Sequence, residues 1–216
     1  MVNEVIAVVI GYLLGSIPSA YIAARLIKGR DIRRMGGGNV GARNTFMEVS
    51  RGAGIAVGIF DVGKGAAAVA IAHWLLAVPL FEPHPFVLLA GVAAVAGHIW
   101  SIYLKFTGGN GLATTIGVLA IQMPRELLLV FAITVILTLI TRNPILSVNI
   151  SLISVPLFAA WLFREPWQVV ILSVILLLII VLHFLPIARA AMVKAGGKQS
   201  LFSELLRRDK DKRKEL

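Results

Sequence analysis

Two glycine-rich stretches carry the residues whose types and spacing could do chemistry. "MGGGNVGARNTF", residues 35–46, contains Gly36-x-Gly38-x-x-Gly41, and "HIWSIYLKFTGGNG", residues 98–111, closes on Gly108-Gly109-Asn110-Gly111. Consecutive backbone N–H groups in such turns form concavities that take an anion, phosphate above all, and a neighbouring Arg or Lys adds charge to the cradle. Two further stretches belong with them: "TRNP" at 141–144, which supplies Arg142, and "LHFLP" at 182–186, where His183 breaks an apolar run.

The first glycine spacing also fits the dinucleotide fingerprint, but that motif needs a preceding strand inside a βαβ unit. Here a long apolar run precedes it, and no Gly-x-x-x-x-Gly-Lys occurs around residues 36–43, so both nucleotide readings fall. Of the four histidines, His98 and His183 lie near the ends of apolar segments, where an ionisable group is functional by default. His73 and His84 have no carboxylate cluster beside them and read as interfacial. Asp61 is the one carboxylate in the interior of an apolar segment, with Lys64 three residues on along the same helix face. That pair reads as a neutralised buried pair holding its helix in place, with direct catalysis as the alternative. Paired-carboxylate hydrolysis and oxygen-ligated metal sites lack the necessary ligands. The absence of cysteine excludes disulfides, thiolate metal sites and cysteine acyl-enzymes. No metal and no cofactor are expected.

The elements that must position these groups are membrane helices. Of the 216 residues 58% are hydrophobic and only 15% charged, with a mean hydropathy of +0.87, against about 25% charged in a soluble domain. Seven apolar segments follow one another, at about 4–27, 53–79, 85–104, 112–123, 126–141, 145–163 and 167–188, and none shows the alternation of a barrel strand. The expected fold is an all-α, polytopic integral membrane protein with about seven transmembrane helices. Residues 1–190 form one domain and 191–216 a basic tail. Segment 112–123 is short for a span and is expected to be tilted, broken or extended into its loop. Gly11, Gly15, Ser19 and Ala23 form one small-residue stripe and Gly54 and Gly58 another, both suited to close helix contact.

Charge sets the orientation. With the N-terminus outside and the C-terminus cytoplasmic, only Arg125 and Arg164 of the 21 Lys and Arg lie outside and Lys64 lies within a segment. The other 18 then fall on the cytoplasmic side, as the positive-inside rule requires. The net charge of +10 therefore follows from topology and calls for no nucleic-acid partner. The same orientation gathers both glycine loops, Arg142, His98 and His183 at the cytoplasmic face.

At "GYLLGSIPSAYI", "GNVGARN", "FDVGKG", "GHIWSIYLKFTGGNGLAT" and His183 the sequence resembles the bacterial acyl-phosphate:glycerol-3-phosphate acyltransferase family, small seven-helix enzymes of the inner membrane. The resemblance runs along essentially the whole chain. It implies transfer of a fatty acyl group from acyl phosphate to the 1-hydroxyl of glycerol 3-phosphate, giving lysophosphatidic acid, on the cytoplasmic side of a membrane. An acyl phosphate is already an activated anhydride, so positioning and oxyanion stabilisation suffice. The other common glycerolipid acyltransferases use His followed five residues later by Asp, an arrangement none of the four histidines has.

By this resemblance Asn39, Asn44, Lys64, Gly108, Gly109 and Gly111 match the family's substrate-holding positions. The loops at 36–44, with Gly37 and Gly38, and at 107–111, with Asn110, are expected to cradle phosphate by backbone amides, with Arg43 and Arg142 compensating from new positions. His183 orients or deprotonates the acceptor hydroxyl, and His98 supports the second loop. Five positions depart from the family pattern. Gly37 stands where a serine is usual, Arg43 where a threonine is, Met47 where an arginine is, Asn110 where a lysine is, and Pro186 where an asparagine is. These departures leave open a related polar acceptor, or a non-catalytic relative that binds or transports a lipid or anionic solute.

Overall fold

The computed structural model describes residues 1–142 and 144–194, and all regular structure among them is helical. The basic tail beyond residue 194 and Asn143 of "TRNP" lie outside the described residues. Ten helices follow in order: α1 (Val2–Ser16), α2 (Ser19–Lys28), α3 (Ala42–Glu48), α4 (Arg51–Leu76), α5 (Pro85–Ile99), α6 (Leu112–Gln122), α7 (Pro124–Thr141), α8 (Pro144–Ile153), α9 (Val155–Leu157) and α10 (Trp167–Lys194). Four stretches are long and apolar enough to cross a membrane: Val2–Lys28, Arg51–Leu75, Pro85–Leu104 and Pro124–Thr141. Three shorter apolar stretches, Leu112–Gln122, Leu146–Leu162 and Trp167–His183, complete the bundle.

Local chemistry sets the boundaries. The first apolar run is not one helix, because Pro18 lacks an N–H and breaks it into α1 and α2. Gly29, at φ 65°, ends α2 in the left-handed conformation that glycine adopts without a Cβ penalty. Ser50 caps α4 by accepting from the Ala53 N–H at 3.1 Å. Pro85 and Pro124 open α5 and α7 at the first turn, where no partner for their nitrogen is needed. The sixth apolar segment is also broken: α9 carries Pro156, and a π-turn follows over Phe158–Leu162.

Small residues let the backbones meet. A Cβ on Gly11 or Gly15 would overlap the carbonyls of Ala90 or Ala94 of α5, and one on Gly97 would overlap the Tyr12 carbonyl of α1. Gly65 and Gly117 do the same between α4 and α6, and Gly54 seats α4 against Phe46 of α3. The expected stripe Gly11–Gly15–Ser19–Ala23 therefore holds only as far as Gly15. Beyond the Pro18 break the chain changes direction, and Ser19 turns to a different helix, α4. α4 is accordingly two-sided: Asp61, Lys64, Gly65 and Val69 face the bundle interior, while Ile55, Ile59, Phe60 and Trp74 are exposed. α6, at 11 residues, is about 16 Å long and crosses roughly half of a 30 Å hydrocarbon layer.

The main apolar core runs from Ala7 through Val69, Val87, Val95, Leu119 and Met123 to Leu172 and Leu176. A second cluster of Ala20, Ala24, Ile32, Val40, Val57 and Leu104 lies beneath the glycine loops and fastens them to the helix ends. α7 exposes Leu128, Phe131, Ile136, Leu139 and Ile140, an apolar face that suits lipid. His73 is buried at the end of α4, its Nδ1 lying 3.3 Å from the Val78 carbonyl.

Candidate functional site

The Pro18 break builds the site. In an unbroken helix the carbonyls of Ser16 and Ile17 would be consumed by N–H groups four residues on. Here Ser16 O accepts from the Ser101 hydroxyl at 2.6 Å and Ile17 O accepts from the Lys64 ammonium at 2.9 Å. Lys64 Nζ also lies 2.8 Å from Asp61 Oδ1, one turn earlier on α4, and both side chains are buried. The same carboxylate oxygen accepts from the Ser19 hydroxyl at 2.8 Å. His98 enters from the end of α5 with Nδ1 3.7 Å from that oxygen, too far for a hydrogen bond. These groups line a small cleft together with Val40, Leu104 and Gly108.

The second glycine loop is folded onto His98. The Gly109 N–H donates to the His98 carbonyl at 3.0 Å. A Cβ on Gly109 would overlap His98 Nε2, and one on Gly108 would overlap the His98 carbonyl, so only glycine allows this approach. Gly111, at φ 82°, turns the chain into α6. Asn110 is half-buried in this loop.

The first loop is organised by Asn44, which is buried at the start of α3. Its Nδ2 donates to the carbonyls of Met35 and Asn39 at 3.0 Å and of Ile32 at 3.3 Å, while its Oδ1 accepts from the Gly37 N–H at 3.2 Å. Gly36 and Gly38 take positive φ, 51° and 73°. Gly37 does not, and a Cβ there would meet nothing within 4 Å. The loops are joined by Arg33, which pairs with Asp31 at 2.7 Å and donates to the Thr107 hydroxyl at 3.2 Å while its guanidinium lies over the Tyr21 ring. The hydrogen-bonded Arg33 holds the Asp31 carboxyl down at about 2, and Asp31 in turn raises Arg33.

Lys64, His98 and Gly108 thus share one cleft, with Gly109 against His98. Arg43 is exposed on α3, and Arg142 is exposed at the end of α7, in left-handed conformation. Neither lines the cleft. His183 on α10 packs edge-on to Trp100, ring centroids 6.4 Å apart, one residue beyond the end of α5. Sequence reasoning missed Ser16, Ser19, Ser101 and the Arg33–Thr107 tie. The one signal was Pro18 inside an apolar run, since a carbonyl freed by a helix break has no residue type of its own.

The chain matches the family model described as glycerol-3-phosphate acyltransferase over residues 5–192. It is 45% identical over 183 residues to glycerol-3-phosphate acyltransferase 1 of Dehalococcoides mccartyi (strain ATCC BAA-2266 / KCTC 15142 / 195), covering 82% of this chain and 86% of that one. It is 37% identical over 183 residues to the glycerol-3-phosphate acyltransferase of Geobacter sulfurreducens, covering 85% and 91%. Its fold matches the crystal structure of PlsY (YgiH), an integral membrane glycerol 3-phosphate acyltransferase, in its glycerol 3-phosphate form. The TM-score is 0.78 at 28% identity, over 88% of this chain and 92% of that one. The lysophosphatidic acid form matches with a TM-score of 0.75 at 29% identity, over 87% and 91%.

Proposed function

The chain belongs to the glycerol-3-phosphate acyltransferase family and transfers a fatty acyl group to glycerol 3-phosphate, forming lysophosphatidic acid; on that premise we propose that acyl phosphate is the donor and that the cleft between the glycine loops is where the phosphorylated substrate is held. The observation that carries this reading is the Lys64 ammonium, buried in the cleft beside Gly108. Two acceptors, Asp61 and the Ile17 carbonyl, hold it while an ammonium has three N–H donors. Those amides of residues 36–44 and 107–111 that are not held within the loops, as the Gly37, Gly38, Thr107 and Gly109 N–H groups are, supply the remaining donors, and Arg43 and Arg142 add positive potential from outside the cleft.

In this reading the 1-hydroxyl of glycerol 3-phosphate attacks the acyl carbonyl carbon. A carbon–oxygen bond forms to the acceptor, and the bond from the acyl carbon to the phosphate oxygen breaks. The hydroxyl proton passes to His183, and phosphate leaves. His98 keeps the second loop against the cleft. The activated anhydride needs neither metal nor covalent acyl-enzyme. Seven segments, with the N-terminus outside and the site on the cytoplasmic face of a bacterial-type cell membrane, place 18 of the 21 Lys and Arg on the inner side. Residues 1–190 then act as one catalytic domain, and the tail from 191 meets anionic headgroups.

The test is transfer from acyl phosphate to labelled glycerol 3-phosphate by purified protein. His183→Ala is expected to lose product formation while remaining monodisperse in detergent. Full activity in that variant would remove His183 from the mechanism.

A further inference from the structure

Asp61 is the one group at which both walls of the cleft and its floor meet. Its carboxylate is buried, and a single oxygen receives the Ser19 hydroxyl from α2 and the Lys64 ammonium from α4, each at 2.8 Å. His98 Nδ1, buried and without a hydrogen-bond partner among the described residues, faces the same oxygen at 3.7 Å. The Ser16 hydroxyl, which also lines the cleft, is equally unpartnered. An ion pair kept only to neutralise a helix needs two members. Here a second helix supplies a hydroxyl and a third supplies an imidazole whose other nitrogen rests on Gly109.

We propose that Asp61 is a positioning residue of the acyl transfer. Its carboxylate fixes the Lys64 ammonium against the Ile17 carbonyl so that the remaining N–H serves the substrate phosphate. Facing His98 Nδ1, it also favours the tautomer with the proton on that nitrogen, which sets the imidazole against the second loop. Asp61 touches no reacting atom and acts through Lys64 and His98. This rests on the reading that Lys64 contacts phosphate, and the experiment separates the two.

Glycerol 3-phosphate binding is measured by calorimetry on purified wild type, Asp61→Asn, Lys64→Met and the double variant, with detergent melting as a check of folding. Lys64→Met is expected to weaken binding at least tenfold. Asp61→Asn is expected to weaken it by a similar factor alone and to add much less in the Lys64→Met background, where only its action through His98 remains, because neighbours acting through a shared group are not additive. Ser19→Ala keeps both charges, and so remains informative should Asp61→Asn fail to fold. It is expected to raise KM for glycerol 3-phosphate several-fold with kcat little changed. Unchanged binding in Lys64→Met would overturn the phosphate assignment. Weakened binding in Lys64→Met together with normal binding in Asp61→Asn, or full additivity in the double variant, would overturn the positioning role. In a chain where Asp61→Asn does not fold, an unchanged KM in Ser19→Ala does so.

Discussion

At the scale of single residues, the departures from the family pattern have physical consequences that can be measured. Gly37 replaces the usual serine, yet its φ is not left-handed and a Cβ would meet open space. Gly37→Ser is therefore expected to fold normally and to lower KM for glycerol 3-phosphate by about tenfold or more, the worth of one hydrogen bond to a charged group. A raised KM would show that the loop does not reach the phosphate. Asn44 makes the opposite case, since Asn44→Ala would orphan the Asn39 carbonyl and the Gly37 N–H and strip the Ile32 and Met35 carbonyls of one of their two donors. Each buried group so orphaned costs about 1–3 kcal/mol, so a marked fall in melting temperature is expected along with lost activity. The Asp31–Arg33 pair adds a pH signature. Because Asp31 is depressed in the fold, its contribution is complete above the ordinary carboxylate value of 3.8 and is lost as pH falls through about 2. The stability difference between wild type and Asp31→Asn is expected to be constant from pH 7 to 5 and to vanish towards pH 2. The glycine loops were legible in the sequence because positive-φ turns and close approaches demand glycine. The carbonyls of Ser16 and Ile17 were not, because every residue has one.

At the scale of elements, helix packing decides which side chains can meet. Gly117 lies on the Val62 carbonyl and Gly65 on the Thr114 carbonyl, so α4 and α6 touch backbone to backbone. Gly117→Ala would press a methyl group into a carbonyl that cannot move aside, and the helices would have to part. A loss of about 1–3 kcal/mol is expected, the usual cost of overpacking, read as a lower melting temperature in detergent. An unchanged melting temperature would show that the interface is looser than this. Segment boundaries followed hydropathy closely: 85–104 is α5 with a short 3-10 turn at Ile102–Leu104, and 112–123 is α6 with one residue fewer. Differences arose at prolines. Pro124 begins α7 rather than preceding it, and Pro18 and Pro156 interrupt helices inside uniformly apolar runs. Hydropathy sees the run, whereas the break depends on a missing N–H.

At the scale of the molecule, every part of the candidate site lies at one end of the bundle. It is built from the end of α1, the start of α2, the middle of α4, the end of α5 and the loop into α6. α1 and α5 run parallel, Gly11 on Ala90 and Gly15 on Ala94, so their ends reach the same level. The sequence carries the matching charge pattern: Lys28, Arg30, Arg33, Arg34, Arg43, Arg51 and Lys105 flank the site, while the connector 80–84 at the far end holds no Lys or Arg. A membrane with an inward-negative potential and anionic lipid favours the cationic end inside. The absence of cysteine makes the test clean, since each introduced thiol is the only one in the chain. Glu82 and Arg34 are exposed at opposite ends. In intact cells a membrane-impermeant maleimide is expected to label Glu82→Cys, and to label Arg34→Cys only after lysis. The reverse pattern would turn the site to the outside and separate it from cytoplasmic substrates, so this labelling decides the orientation on which the whole assignment of faces depends.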